Sequence, residues 1–111
     1  MLDKAIRWLG SSLDDLRAFP EQARRAAGYQ FRRVQQGLMP NDWKPMKAVG
    51  SGVYEMRIHT GVEHRVFYIA KYDDAIYVLH AFEKRTRQTR QADIALARQR
   101  LAELFELRRQ N

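Results

Sequence analysis

Hydrophobic and polar positions alternate with period two in three consecutive stretches, VYEMRIH (53–59), EHRVFYIAK (63–71) and AIYVLHAFE (75–83). Successive side chains of a strand point to opposite faces, so this alternation predicts strands that turn one face toward a core. Thr60-Gly61-Val62 and Asp73-Asp74 are short enough to be hairpin turns, which predicts an antiparallel meander. A shorter alternation, KAIRWL (4–9), predicts one more strand near the start of the chain. Ser11 or Ser12 then offers an N-cap to a short helix with Leu13 and Leu16 inward, and Asp14 and Asp15 stand in its first turn, where the helix dipole favours negative charge. That helix must end before Pro20. Pro20 suits the first position of a second helix reaching Gln36, because its missing N–H needs no partner there. Ala23, Ala27, Phe31 and Val34 form the apolar stripe of this helix, and Gly37 is its stop. A final helix, Gln91 to Arg108, places Ile94, Ala97, Leu101, Leu104 and Phe105 on one stripe and Arg98, Arg100, Arg108 and Arg109 elsewhere. The predicted order is β-α-α-β-β-β-α in one α+β domain covering 1–111, and GLMPNDWKPMKAVGSG (37–52) is the only linker-like run.

The turns also sort the strand residues by face. If Gly61 is left-handed in a three-residue loop, His59 pairs with Glu63, Arg57 with Arg65 and Glu55 with Phe67. If Asp73-Asp74 is a two-residue turn, Phe67 pairs with His80 and Arg65 with Phe82. One face then collects Tyr54, Met56, Ile58, Val66, Tyr68, Ala70, Tyr77, Leu79 and Ala81, and is predicted to be the single face covered by helices. The other collects Glu55, Arg57, His59, Glu63, Arg65, Phe67, Ile69, Val78, His80 and Phe82, a mixture of cations, imidazoles and exposed rings. Two arginines directly opposite each other repel, by up to about 1 kcal/mol, unless an anion lies between them. An RNA phosphate would serve, and so would a cross-strand network through Glu55 or Glu63.

Charge narrows the partners. The 111 residues hold 20 Lys+Arg against 13 Asp+Glu, a formal net charge of +7. The excess favours polyanionic partners: nucleic acid first, then an acidic protein, then an anionic membrane surface. Segments 1–52, 53–83 and 84–111 carry +4, −2 and +5, so the few cations of the strands are individually informative. The arginines on the outer side of the second helix, Arg24, Arg25, Arg32 and Arg33, fit an ordinary solvated face as well as a binding surface. Hydrophobic residues make up 45% of the chain, enough for one core. The chain has no cysteine, which excludes a disulfide framework, Cys-ligated zinc and a thiol nucleophile and suits a reducing compartment, with cytoplasm the default expectation. No stretch approaches the roughly 20 apolar residues of a membrane span, and acids and a Trp interrupt the N-terminal region where a signal peptide needs an apolar run.

The chemistry-bearing residues are few. His59, His64 and His80 lack the spacing of a helical metal site, so neither a metal nor another cofactor is expected. His64 falls on the core side and reads as structural. His80 shares a face with Arg57 and Arg65, and histidine titrates near neutrality, so it is a candidate for moving a proton; a packed strand histidine is the plainer alternative. The chain has no Gly-rich phosphate loop, nucleophile elbow or paired-carboxylate motif. What remains is a sheet carrying cations and aromatic rings that ends in Lys84-Arg85, followed by Arg87 and Arg90.

The run VYEMRIHTGVEHRVFYIAKYDDAIYVLHAFEKRTRQT, followed by DIALARQRL and preceded by GYQFRRVQQGLMPNDWKPMKAVGSG, resembles the phage-derived, HigB-like branch of the RelE/ParE toxin superfamily over nearly the whole chain. The resemblance implies a RelE-like fold and the toxin of a type II toxin–antitoxin pair. Most such toxins enter the ribosomal A site and cut mRNA without a metal, the 2′-hydroxyl attacking the adjacent phosphorus. That reaction needs no protein nucleophile; the protein must orient the phosphate, neutralise developing charge and handle protons. By motif position Arg65 matches the phosphate-stabilising arginine, since a guanidinium binds phosphate oxygens bidentately. Arg57 matches a basic position on the preceding strand, and Lys84 and Arg85 match basic positions after the last strand. Phe67 or Phe82 would stack a splayed base, and Lys47, Arg87 and Arg90 would touch RNA. Where several RNA-cutting members place a tyrosine, TRQTRQAD (86–93) has neither aromatic nor histidine, and His80 is the proton-transfer candidate on face geometry. The implied partners are the ribosome with mRNA and a helix-turn-helix antitoxin, in a toxin–antitoxin hetero-oligomer. Two other classes compete: a ParE-like inhibitor of DNA gyrase, and a non-catalytic RNA-binding module.

Overall fold

The computed structural model describes residues 3–110. The chain runs β1 (Ala5–Trp8), α1 (Ser12–Arg17), α2 (Glu21–Gln35), β2 (Trp43–Pro45), β3 (Val53–His59), β4 (Glu63–Ile69), β5 (Ala75–Glu83) and α3 (Gln91–Arg109). The α+β class and the predicted elements are present, with one addition: β2 lies inside the run read as a linker. The five strands form one mixed sheet in the order β1-β5-β4-β3-β2, with β1 parallel to β5 and the other neighbours antiparallel. Pro45 is tolerated in β2 because an edge strand leaves one side of its backbone unpaired. Pro20 stands one position before its expected place, as the N-cap of α2, where its carbonyl accepts from the Arg24 amide.

Gly61 has φ +89°, the left-handed conformation that the three-residue β3–β4 loop demands. It sets the pairs His59–Glu63, Arg57–Arg65 and Glu55–Phe67 as expected. The β4–β5 pair differs. Ile69 faces Tyr77 and Tyr68 faces Val78, one residue out of step with a two-residue turn, and Leu79 is then an extra residue that restores Phe67–His80 and Arg65–Phe82. This bulge exchanges the faces of the residues before it, because a one-residue slip inverts a strand. Val78 therefore belongs to the first core, and Tyr77 and Leu79 to the second.

Helices cover both faces, not the one expected. On the first face Phe19, Ala23, Ala27, Phe31 and Val34, from α2 and the turn before it, pack on Met56, Ile58, Val66, Tyr68, Ile76, Val78 and Ala81. On the second, Ala97, Leu101 and Leu104 of α3 join Leu9, Met46, Val49, Val53, Phe67, Ile69 and Leu79. The second face reads as polar because its charges cluster at one end of the strands; its middle, completed by Leu79 through the bulge, is apolar and needs a cover. Arg100, although charged, is buried on α3: its guanidinium donates to the Leu79 carbonyl (2.9 Å) and to Ser11 Oγ (2.9 Å). Phe105 of the predicted stripe is exposed instead.

Candidate functional site

α3 covers only part of the second face, and beyond its first turn the strand ends carry the charged residues together. Glu55, fully buried on β3, sits between the two facing arginines. Arg57 Nε donates to Glu55 Oε1 at 2.9 Å, and Arg65 Nε lies 3.7 Å from the same oxygen. Arg65 also donates through Nη1 to Glu63 Oε1 (2.9 Å) and to the His64 carbonyl (3.0 Å). The two carboxylates thus take the place the sequence left open between RNA phosphate and glutamate. The Arg65 side chain is 6% exposed and that of Arg57 31%, so Arg57 is the one of the pair with a face turned to solvent.

The network continues outward through His59, whose Nδ1 is 2.6 Å from Glu63 Oε1 and whose Nε2 is 2.6 Å from Asp42 Oδ2. With a carboxylate at each ring nitrogen the imidazole's pKa is raised, first by the bond to Asp42 and then by that to Glu63, against an opposing effect of burial. Glu63 is shifted down, chiefly by His59. The two nitrogens point in opposite directions, so Asp42, His59 and Glu63 cannot converge on one ion.

His80, on β5 one residue after the bulge, is buried. Its Nε2 is 2.7 Å from Asp93 Oδ1 in the first turn of α3. Its ring stacks on Phe82 at 4.8 Å and 19°. Its Nδ1 is buried without a partner among the described residues. His80 and Phe82 line an open cleft of about 390 Å³ that runs over the edge of β5 beyond the end of β1, to Ala18, Phe19 and Pro20 at the corner between α1 and α2. His64, Ala81 and Arg85 complete it with two carboxylates, Asp15 and Glu83. His64 is 1% exposed and packs on Phe19 at 4.2 Å. Burial pushes its pKa down and keeps the ring neutral, in line with its structural reading.

The remaining expected residues divide. Phe67 is fully buried against Phe82 (5.1 Å) and cannot stack a base; the bulge and α3 close the core over it. Phe82 is half-buried and borders the cleft. Lys84 Nζ donates to the carbonyls of Thr86 (2.9 Å) and Arg87 (2.7 Å), so the ammonium shapes the loop leading into α3. Arg85, Arg87 and Arg90 are exposed on that loop, Arg85 paired with Glu83. Lys47 is exposed but lies beside the Val53 end of β3 and lines a different hollow with Pro45 and Tyr54, so it is not brought to the arginine cluster. Asp93 and Arg100 have site-building roles that sequence reasoning missed. An acid in a helix first turn is ordinary by pattern, and an arginine one position before Leu101 gives no sign that it turns inward.

Residues 14–102 match the family described as phage-derived protein Gp49-like (DUF891). The match spans most of the chain, which belongs to this family. No curated protein matches it significantly. Among the described residues no helix is long and apolar enough to cross a membrane.

Proposed function

We propose that the chain is the toxin of a type II toxin–antitoxin pair, of the HigB-like branch, and acts in the cytoplasm as a ribosome-dependent mRNA endoribonuclease. The Gp49-like family is associated with RelE/toxin-like proteins, which supports the coarser reading. The observation that carries the finer one is the concentration, at one end of the sheet, of a buried imidazole beside an open cleft with exposed arginines following it. Arg85, Arg87 and Arg90 supply electrostatic attraction to RNA, which is independent of sequence and sensitive to salt. Arg57 is placed to reach a phosphate, with Arg65 behind it sharing Glu55 and holding the strand ends in register. Phe82 offers a ring edge for a splayed base. His80 handles a proton, and the 2′-hydroxyl of the RNA is the nucleophile, so metal-free chemistry suffices. The chain's basic surface suits an acidic segment of a helix-turn-helix antitoxin.

The test is regulated expression with and without the neighbouring reading frame, followed by primer extension. The expected result is growth arrest with new mRNA 5′ ends inside codons, relieved by the neighbouring product and abolished by Arg85→Glu/Arg87→Glu/Arg90→Glu. Arrest with DNA breaks or altered supercoiling and intact mRNA would establish gyrase inhibition instead. One observation favours that second reading: Arg65 is buried, with Nη1 bound to Glu63 and the His64 carbonyl and Glu55 3.7 Å from Nε, as an arginine with a structural duty would be. RNA binding with neither toxicity nor cleavage would leave a binding module; a five-stranded sheet with helices on both faces is unlike the α-β-β-β-α layer of double-stranded-RNA modules.

A further inference from the structure

The cleft at the open edge of β5 contains an imidazole whose two nitrogens have opposite circumstances. His80 Nε2 is 2.7 Å from Asp93 Oδ1. An ionised carboxylate can only accept, so Nε2 carries the proton, and in the neutral ring Nδ1 keeps a lone pair. That Nδ1 is buried and unpaired among the described residues. Buried polar atoms are nearly always paired, and an exception calls for a reason; a donor on a ligand that enters the cleft His80 lines is one, reaching Nδ1 by opening the contacts that exclude solvent from it. The ring cannot swing away to find another partner. Phe82 stacks on one face, Phe67 packs edge-on at 6.3 Å, and the preceding Leu79 carbonyl is pinned by Arg100. Arg85, also lining the cleft, is exposed with Glu83 as its partner, so its guanidinium can turn to a phosphate at little cost.

We propose that His80 and Asp93 form a proton-transfer dyad serving a ribonucleotide bound in this cleft, with His80 Nδ1 the accepting atom and Asp93 the residue that positions it. The inference rests on the endoribonuclease reading. The 2′-O–H bond breaks and its proton passes to Nδ1. The 2′-oxygen bonds to the adjacent phosphorus as the bond from phosphorus to the 5′-oxygen breaks, leaving a 2′,3′-cyclic phosphate. The departing 5′-oxygen takes a proton from water, and the imidazolium returns its proton to the hydroxide so formed. Asp93 stabilises the imidazolium without becoming protonated, and it fixes which nitrogen is bare.

Two measurements on the full chain test this and separate its failure from that of the underlying reading. Long-range nitrogen–proton NMR of RNA-free protein is expected to show neutral His80 as the Nε2–H tautomer, and Asp93→Ala to give a mixture. Ribosome-dependent cleavage of a defined mRNA is expected to lose at least tenfold in kcat with KM unchanged in Asp93→Ala. Asp93→Glu should recover part of that loss, and His80→Ala/Asp93→Ala should be no slower than His80→Ala alone. An Nδ1–H tautomer in the wild type, or equal cleavage by wild type and Asp93→Ala, overturns the dyad even if RNA is cut. Absence of cleavage by the wild type with the expected tautomer overturns the endoribonuclease reading, and the assigned role of the dyad with it.

Discussion

Arg65 was the residue on which the family resemblance placed most weight, and its surroundings change what its removal would report. Glu55 is fully buried with Arg57 at 2.9 Å and Arg65 at 3.7 Å from one carboxylate oxygen. Removing one partner from a buried charge group costs about 3–5 kcal/mol, because the remaining charge is left uncompensated, whereas replacing the group by neutral residues of similar size costs far less. In Arg65→Ala the buried Glu55 still keeps Arg57 at 2.9 Å, so unfolding stability should fall by less than that in urea titrations, and Arg65→Met, which keeps the apolar stem, should lose less again. A loss of the proposed toxicity in Arg65→Ala would report a functional role only beside that control. His59 carries a second prediction. Its raised pKa means that its stabilisation is fully present below the unfolded value of 6.5 and is lost as pH rises through the folded value. Glu63, lowered from 4.5, contributes above that unfolded value and loses its contribution as pH falls through its folded one. The clamp between Asp42, His59 and Glu63 is strongest between these limits. Amide protection factors at 42–45 and 59–63, taken relative to the base-catalysed intrinsic rate, should fall as pH rises above 6.5 through the folded value, and His59→Gln should flatten the dependence. Both groups are well exposed, so the effect is a few tenths of a kcal/mol.

At the scale of elements, α3 is joined to the sheet by Arg100. Its guanidinium spans the Leu79 carbonyl at the bulge and the Ser11 hydroxyl before α1. A hydrogen bond to a charged group contributes about 1.5–3 kcal/mol, so Arg100→Met should destabilise by about that much, and thermal melting should show it. Gly10 is part of the same joint. It has φ +54°, and a Cβ there would stand 2.4 Å from Arg100 Nε, so Gly10→Ala should be similarly harmful. Much of this architecture was legible. The period-two runs gave β3, β4 and β5, and Gly61 gave the pairing that sets Arg57 against Arg65. The pairs Phe67–His80 and Arg65–Phe82 were also legible, because two departures cancel: the turn at 73–74 shifts the register by one and Leu79 shifts it back. Between them, Tyr77, Val78 and Leu79 exchange faces, which alternation alone cannot reveal. β2 is three residues long, too short for any period, and exists through its pairing with β3. The partners of His80 and Arg65 depend on which carboxylate a tertiary contact delivers. Asp93 is 13 residues from His80 in the chain and adjacent to it only because α3 starts over the end of β5.

Over the whole molecule, the net charge of +7 divides into committed and available cations. Arg25 pairs with Glu21, Arg32 with Asp3, Arg108 with Asp74, and Arg100 and Lys84 are bound to backbone carbonyls. The available group includes Arg87 and Arg90 on one loop, where the exposed Arg85 is paired with Glu83 and can be released from it at little cost. If these contact phosphates, log affinity for single-stranded RNA should fall with log salt, and each Arg→Gln change should reduce the slope by about 0.7. Fluorescence anisotropy over a salt series measures it, and an unchanged slope would place RNA elsewhere on the protein.

The parallel pairing of β1 with β5 also fixes an order of events during synthesis. Ala5–Trp8 can find its neighbour only after Ala75–Val78 has been made, and His80 meets Asp93 only when α3 begins to form. Contacts so distant along the chain are closed late, since the entropy of closing a long loop is spent before the pairing rewards it. A nascent or prematurely terminated copy therefore lacks its central sheet neighbour and half of the His80–Asp93 pair. The His80–Asp93 pair therefore exists only once the message for the start of α3 has been read.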